Sequence, residues 1–242
     1  MKTPEISIIV PCLNEEQNIP ILVEKLQDIL NCNNFSYEIL IVDNCSDDST
    51  FKEALSMQHK YPNVKALHKG LPRGIGSGIR YGIQQAQGEM GIVVMGDCVD
   101  PLEAIPDFRK KIIEEKYDLA LLSRYLNPKD SSNIPLSYKF YQWCYRFLCR
   151  NLLGVTIRDI TYAYRAFSLP FIRQMNLQSN GFEISPETTL KAWLNGGKIA
   201  ELQGRQGRRF AGESKFIFSE QGLGYASVLA KAIIKRITGI WI

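Results

Sequence analysis

The sequence predicts an α/β fold: a mostly parallel open sheet, Rossmann-like, with helices on both faces and an amphipathic helix at its C-terminal end. Three observations carry this. The apolar runs Ile6–Val10, Ile39–Val42 and Ile92–Met95 read as strands buried on both faces, where continuous β-branched stretches are expected. Each stops within a few residues of a carboxylate, Glu15, Asp43 and Asp97, and polar groups just past strand ends line the crevice where open α/β sheets bind ligands. Helical-period segments alternate with the runs, as parallel strands require.

After the first strand, Asn14 is placed to cap a helix whose Ile19, Leu22, Val23, Leu26, Ile29 and Leu30 recur at helical spacing. Ser46, Asp47 and Asp48 offer a cap for a second helix carrying Phe51, Ala54 and Leu55. Val64–Leu67 reads as the third strand. In the glycine-dotted segment that follows, Ile75, Ile79 and Ile83 keep helical period, and Gly74, Gly76 and Gly78 permit close packing. Pro106–Lys116 is read as a helix, Asp118–Leu122 as the fifth strand, and Asn127–Ser137 as a loop. Tyr138–Leu153 is an aromatic-rich helix. Tyr162–Phe167 and Lys198–Leu202 are strand-like, with Pro186–Asn195 helical between them. From Gly222, Tyr225, Val228, Leu229, Ala232, Ile233 and Ile237 share one face, with Lys231, Lys235 and Arg236 elsewhere. That face suits packing on its own domain or the headgroup region of a bilayer.

Composition narrows the function. The chain has 242 residues, 45% of them hydrophobic, enough for one substantial core. A formal charge of +4 is too small to imply nucleic acid. Charge is nevertheless uneven: carboxylate-bearing loops come early, whereas Arg205, Arg208, Arg209 and Lys215 crowd one late segment, suiting a metal site beside an anion site. Six cysteines show no CxxC spacing and are expected to be reduced thiols of a cytosolic protein. The two histidines, His59 and His68, give little material for a zinc site or a Ser-His-Asp triad and are expected at the surface or at a strand edge. No apolar stretch reaches the ~18 residues of a bilayer span.

Three loops carry the chemistry. Val10-Pro11-Cys12-Leu13-Asn14-Glu15-Glu16 exposes Leu13 and Glu15 past a strand ended by Pro11, and reads equally as a helix start. The loop from Val42 and Asp43 to Thr50 is denser in short polar groups than a cap demands, and an acid there commonly meets a ribose or base. Met95-Gly96-Asp97-Cys98-Val99-Asp100 places two carboxylates behind a buried strand, at a desolvation and repulsion cost that a divalent cation would offset. Asp97 is read as the metal ligand. Asp100 either joins it or caps the helix after Pro101.

Taken in order, these loops resemble the family-2 inverting glycosyltransferases of the type-A fold, in particular the dolichol-phosphate mannosyltransferase-like and other polyprenyl-phosphate enzymes. Ser123-Arg124-Tyr125, Asn151–Gly154, Arg158–Phe167, Gly181-Phe182-Glu183 and Arg209–Lys215 continue the likeness over residues 5–218. The resemblance implies a catalytic domain over residues 1–218, with a nucleotide-sugar half (1–122) and an acceptor half (123–218), followed by the helix of 219–242. It implies nucleotide-sugar contacts from Pro11, Leu13, Glu15, Val42, Asp43, Gly96 and Asp97, with Mg²⁺ or Mn²⁺ on Asp97 and, in one reading, Asp100. Arg124, Arg209, Ser214 and Lys215 would hold phosphates. Lys139 stands where the family has an arginine gripping the acceptor phosphate, keeping the charge without the bidentate fork. Asp97, Arg124 and Arg209 would be catalytic. Met95 replaces the first aspartate of the family's paired motif.

The resemblance implies transfer of a hexose from a GDP- or UDP-sugar to a polyprenyl phosphate at the cytoplasmic face of a membrane. Peripheral membrane contact would come through the C-terminal helix, with a membrane-embedded partner or a homo-oligomer as further associations. An anionic acceptor needs cations and no strong base, which suits a chain poor in histidine. Two rivals stand beside this reading. A glycan or protein hydroxyl acceptor would need a base, with Glu183 and Glu187 the candidates; Met95 motivates a non-catalytic nucleotide-sugar-binding subunit.

Overall fold

The computed structural model of the chain describes residues 3–131, 134–205, 207 and 218–241, with side chains from Gln221 onward in the last segment. Seven strands form one sheet in the order β3-β2-β1-β4-β6-β5-β7. β1 (Ile6–Cys12), β2 (Tyr37–Asp43), β3 (Val64–His68) and β4 (Met90–Val93) run parallel. β5 (Leu119–Ser123) and β7 (Ile199–Gln203) run parallel to each other, and β6 (Arg165–Ser168) lies antiparallel between β4 and β5. The predicted mostly parallel sheet is present, with helices packed on both of its faces.

The strands bury both faces because their apolar runs are continuous. Ile8, Val10, Ile39 and Ile41 pack under α1 (Asn18–Cys32), α2 (Thr50–Lys60) and α4 (Ile105–Arg109). Ile9, Leu40 and Val42 pack on the opposite side with α3 (Ile75–Gln85), α5 (Leu136–Leu153) and α7 (Ile184–Leu194). α8 (Phe218–Thr238) joins that second layer through Tyr225, Val228, Leu229 and Ala232, all buried. Of the apolar face expected for this helix, the stretch from Tyr225 to Ile233 packs on the domain, whereas Ile237 is 78% exposed.

Several element bounds differ from expectation for identifiable reasons. β4 ends at Val93, two residues before the expected Met95, because the Met95 N–H is taken by the Asp100 carboxylate, 2.7 Å away. β6 begins at Arg165, leaving Tyr162 and Ala163 outside the ladder. The single helix expected over Pro106–Lys116 is α4 followed by a π turn at Lys110–Glu114, and a 3-10 turn at Leu102–Ala104 precedes it. α6 (Leu169–Gln174) has no counterpart in the sequence reading. Asn14 does not cap α1; that helix opens after Gln17, and Asn14 takes a left-handed φ of 53°.

The glycines of α3 act as packing residues. A Cβ at Gly76 would sit 2.6 Å from the Ser179 carbonyl oxygen, and one at Gly82 would collide with the Ile9 side chain. With Ser77 N–H donating to the Asn180 carbonyl at 3.1 Å, this close approach fixes the segment carrying Gly181 and Phe182 over the sheet.

Candidate active site

A cleft of about 780 Å³ opens over the carboxyl ends of the strands, where the fold class places ligands. Pro11, Cys12, Leu13 and Glu15 line it from the end of β1, Asn44 from the end of β2, and Met95, Gly96 and Asp97 from the end of β4. The far wall comes from Arg124 and Tyr125 after β5, Tyr138 and Gln142 of α5, and Tyr162 before β6. Gln221 and Tyr225 of α8 and the Gly181-Phe182 pair close it.

The first two loops lock together. Asn14, Glu15 and Glu16 donate their N–H groups to Ser46 Oγ, Thr50 Oγ1 and Asp48 Oδ2 at 2.9, 2.7 and 3.3 Å. In return Asn14 Oδ1 and Glu16 Oε2 accept from the N–H groups of Asp47 and Ser49 at 2.8 and 2.9 Å. The density of short polar residues after β2 is therefore largely a clasp between loops. Asp43, expected to meet the nucleotide, is buried beneath the cleft with Val42, and neither lines it. Asp43 accepts the Ser46 N–H at 3.2 Å and lies 2.8 Å from His68 Nδ1, so His68 serves at the sheet edge as that carboxylate's partner. Asn44, one residue on, faces the cleft instead, and its buried Oδ1 has no hydrogen-bond partner among the described residues.

The two carboxylates after β4 part company. Asp97 lines the cleft at 5% exposure. Asp100 lies behind it, accepting from the Tyr162 hydroxyl at 2.8 Å and the Met95 N–H at 2.7 Å. Burial pushes the Asp100 carboxyl up to about 7 against the pull of those hydrogen bonds. The expectation that Asp100 joins Asp97 on a metal is thereby corrected: both oxygens hold the loop, and the residue does not line the cleft. It also does more than the helix cap that was the alternative.

Among the described residues no three His, Cys, Asp or Glu side chains gather into a cation cage. Mg²⁺ and Mn²⁺ commonly take one or two carboxylates and complete their shell with phosphate oxygens. A single cleft carboxylate, Asp97, fits that shared mode. Met95 lines the same wall with a soft thioether that does not suit such an ion.

Arg124 is a fixed cation. Its Nε and Nη2 donate to Asp159 Oδ2 and Oδ1 at 2.7 and 3.1 Å, and its guanidinium lies 4.3 Å from the centre of the Tyr162 ring. Burial works against the charge, but the Asp159 carboxylate outweighs it and raises the Arg124 pKa above its ordinary value. Lys139 stands on the flank of α5, away from the cleft lining. Arg209, Ser214 and Lys215 lie outside the described residues. Arg73 is on the cleft and pairs with Asp47 at 2.5 Å. Tyr125 OH and Gln142 Oε1 are further buried cleft groups with no hydrogen-bond partner among the described residues. Asn44 lies within the polar loop marked after β2, but the sequence singles out Asp43 there, and no motif marks Gln142; each depends on which way one residue of a helix or turn faces.

The carboxylates considered as bases for a hydroxyl acceptor are engaged elsewhere. Glu187 accepts the N–H groups of Gln178 and Ser179, both at 2.8 Å, and pairs with Lys191 at 2.7 Å. Glu183 accepts the Gly181 N–H at 2.9 Å. Neither lines the cleft.

An open α/β sheet with a cleft of mixed charge over its strand ends is a nucleotide-binding scaffold. The model of glycosyl transferase family 2 matches residues 7–175, and the chain belongs to that family of glycosyltransferases. It is 29% identical over 213 residues to the dolichol-phosphate mannosyltransferase of Pyrococcus furiosus, covering 87% of this chain and 59% of that protein's length. The undecaprenyl-phosphate mannosyltransferase of Micrococcus luteus is 26% identical, with 96% of each chain covered. The dodecaprenyl-phosphate galacturonate synthase of Rhizobium johnstonii is 26% identical over 88% of this chain and 62% of that protein. Among solved structures, glucosyl-3-phosphoglycerate synthase from Mycobacterium tuberculosis, in complex with Mn²⁺, UDP and phosphoglyceric acid, shares the fold with a TM-score of 0.69. It is 16% identical, covering 97% of this chain and 79% of that one.

Proposed function

We propose that this chain transfers a hexose, with inversion, from a GDP- or UDP-linked donor to a polyprenyl phosphate of the dolichyl or undecaprenyl type. One observation carries the choice of acceptor. Among the described residues two carboxylates line the cleft, Glu15 and Asp97, and both stand in loops of the nucleotide half. The acceptor half contributes Arg124, tyrosines and amides but, among the described residues, no cleft carboxylate. A hydroxyl acceptor needs a base to take its proton, whereas a phosphate arrives already ionised. The names of the relatives, whose acceptors are lipid phosphates, support the same reading.

In this reading Pro11, Leu13, Glu15 and Gly96 seat the nucleotide, Asn44 meets its base or ribose, and Asp43 orders the loop that presents Asn44. Asp97 would hold Mg²⁺ or Mn²⁺, which when bound neutralises charge on the departing diphosphate. Arg124, immobilised by Asp159, holds a phosphate without reorganising as charge develops. An acceptor phosphate oxygen forms the new bond to the anomeric carbon as the bond to the nucleoside diphosphate breaks on the opposite face. Arg209, Ser214, Lys215 and Lys139 remain proposed phosphate contacts. Residues 1–218 constitute the catalytic domain, placed at the cytoplasmic face of a membrane. The test is transfer of label from UDP- and GDP-sugars to a short polyprenyl phosphate across a pH series. A rate that rises through an essential base of pKa near 6–7, or transfer to glycan hydroxyls alone, would favour the rival acceptor.

A further inference from the structure

β4 and β5 are not neighbours in the sheet: β6 lies antiparallel between them. The strand ends that present Asp97 and Arg124 are therefore two strand spacings apart, about 10 Å. Because β6 runs the other way, the residues that lead into it arrive at the same edge of the sheet as the carboxyl ends of β4 and β5. Tyr162 is one of them. It lies outside the regular elements, lines the cleft and is 6% exposed.

Three contacts hold this tyrosine in place. Arg165, buried at the head of β6, donates through Nη2 to the Tyr162 carbonyl and through Nη1 to the Ser185 carbonyl at 2.7 Å. The Tyr162 hydroxyl donates to Asp100 Oδ1 at 2.8 Å, while Asp100 Oδ2 accepts the Met95 N–H at 2.7 Å. The centre of the Tyr162 ring lies 4.3 Å from the Arg124 guanidinium, whose far side is paired with Asp159. A tyrosine can serve both neighbours at once, since its edge oxygen reaches one wall of the cleft while its ring face attracts a cation on the other. The Asp159 pair fixes Arg124 alone, and the Met95 hydrogen bond fixes the loop after β4 alone; Tyr162 joins the two.

We propose that Tyr162 is a positioning residue for sugar transfer, setting the separation between the loop that presents Asp97 and the guanidinium of Arg124. This deepens the proposed function and rests on it for the tasks of those two groups, charge on the departing diphosphate for one and a phosphate for the other. Both act on the same in-line displacement, and a misplacement of about 1 Å between such groups can cost up to ~100-fold in rate. The nucleotide, by contrast, is seated by Pro11, Leu13, Glu15 and Asn44, which Tyr162 does not hold. Loss of the link therefore lowers turnover and leaves donor binding in place, as expected for an interaction that matters only as charge develops.

The experiment compares wild type, Y162F, D100A and Y162F/D100A by steady-state transfer to a short polyprenyl phosphate and by amide hydrogen exchange read by mass spectrometry. Y162F keeps the ring beneath Arg124 and removes only the hydrogen bond to Asp100. Its kcat should fall about tenfold, with the donor KM within roughly twofold of wild type and the melting temperature little changed. D100A cuts the same link from its other end and decides the matter should Y162F prove unstable. The double variant should lose no more than D100A alone, because the two side chains act through one contact. Amides of residues 95–100 should exchange faster in Y162F while those of β1 and β2 keep their wild-type rates. An undiminished kcat in Y162F, losses that multiply in the double variant, a 95–100 loop exchanging as in wild type, or a donor KM that rises in step with a falling melting temperature would each overturn the proposal. Wild-type protein that labels no polyprenyl phosphate would overturn the proposed acceptor instead, and the exchange rates would then decide the link by themselves.

Discussion

Asp97 and Asp100 stand three residues apart and receive opposite tasks, one facing the cleft and one holding the loop behind it. Replacing Asp97 by Asn should abolish transfer supported by Mg²⁺ or Mn²⁺ while leaving the melting temperature within a few degrees; full activity in that variant would remove Asp97 from the mechanism. Asp100 behaves otherwise. Its carboxyl titrates near 7 in the fold against 3.8 as a free side chain, so the folded state binds its proton more tightly. The stability this contributes is complete below about pH 4 and is lost as pH rises through 7. Asp100→Asn, neutral throughout and able to hydrogen-bond both Met95 and Tyr162, should flatten that dependence and stabilise the protein above pH 7 by on the order of a few kcal/mol. Urea melts from pH 4 to 8 read this directly, and parallel curves for the two proteins would contradict it. Asp159→Ala leaves the Arg124 guanidinium largely buried without its carboxylate and should cost about 3–5 kcal/mol of stability. At this scale the sequence was partly legible. A carboxylate at a strand end marked Asp97, but the turn of Asp43 inward and Asn44 outward depends on Cys45 at φ 61° and on His68, 25 residues away.

Among the elements, α3 and α5 carry the tightest constraints. The glycine face of α3 is a mould for Ile9 and for the 179–181 backbone. Gly82→Ala should therefore overpack the core and cost about 1–3 kcal/mol, where the same change on an exposed helix would be stabilising; a variant melting at or above wild type would refute the close approach. Apolar runs and helical periods revealed most elements because local pattern and final burial agree there. They missed α6 and displaced the ends of β4 and β6, where the Asp100 side chain's capture of the Met95 N–H and the antiparallel insertion of β6 override the apolar pattern. The amphipathicity of α8 was evident, and its apolar face serves the core from Tyr225 to Ile233 but not at Ile237. The aromatic richness of α5 was evident too, but which side stays exposed is set by packing against the second layer, α8 included.

For the molecule as a whole, a parallel nucleotide half and a second half built around an antiparallel strand meet at one cleft, with acidic loops on one side and a fixed arginine on the other. The order of loops along the chain made this architecture and its family legible before any coordinates, because a strand-end crevice is assembled from segments that recur in sequence order. The late segment holding Arg209, Ser214 and Lys215 lies outside the described residues, so its proposed grip on phosphate rests on the resemblance. The central claim is that this cleft joins a nucleotide sugar to a lipid phosphate through Asp97. It is met most directly by incubating the protein with Mg²⁺ or Mn²⁺, short polyprenyl phosphate and labelled UDP- and GDP-sugars, then extracting lipid. Labelled lipid from one donor, lost on chelation and in Asp97→Asn, is the result predicted. An unlabelled lipid phase with every donor, or undiminished label in that variant, would contradict it.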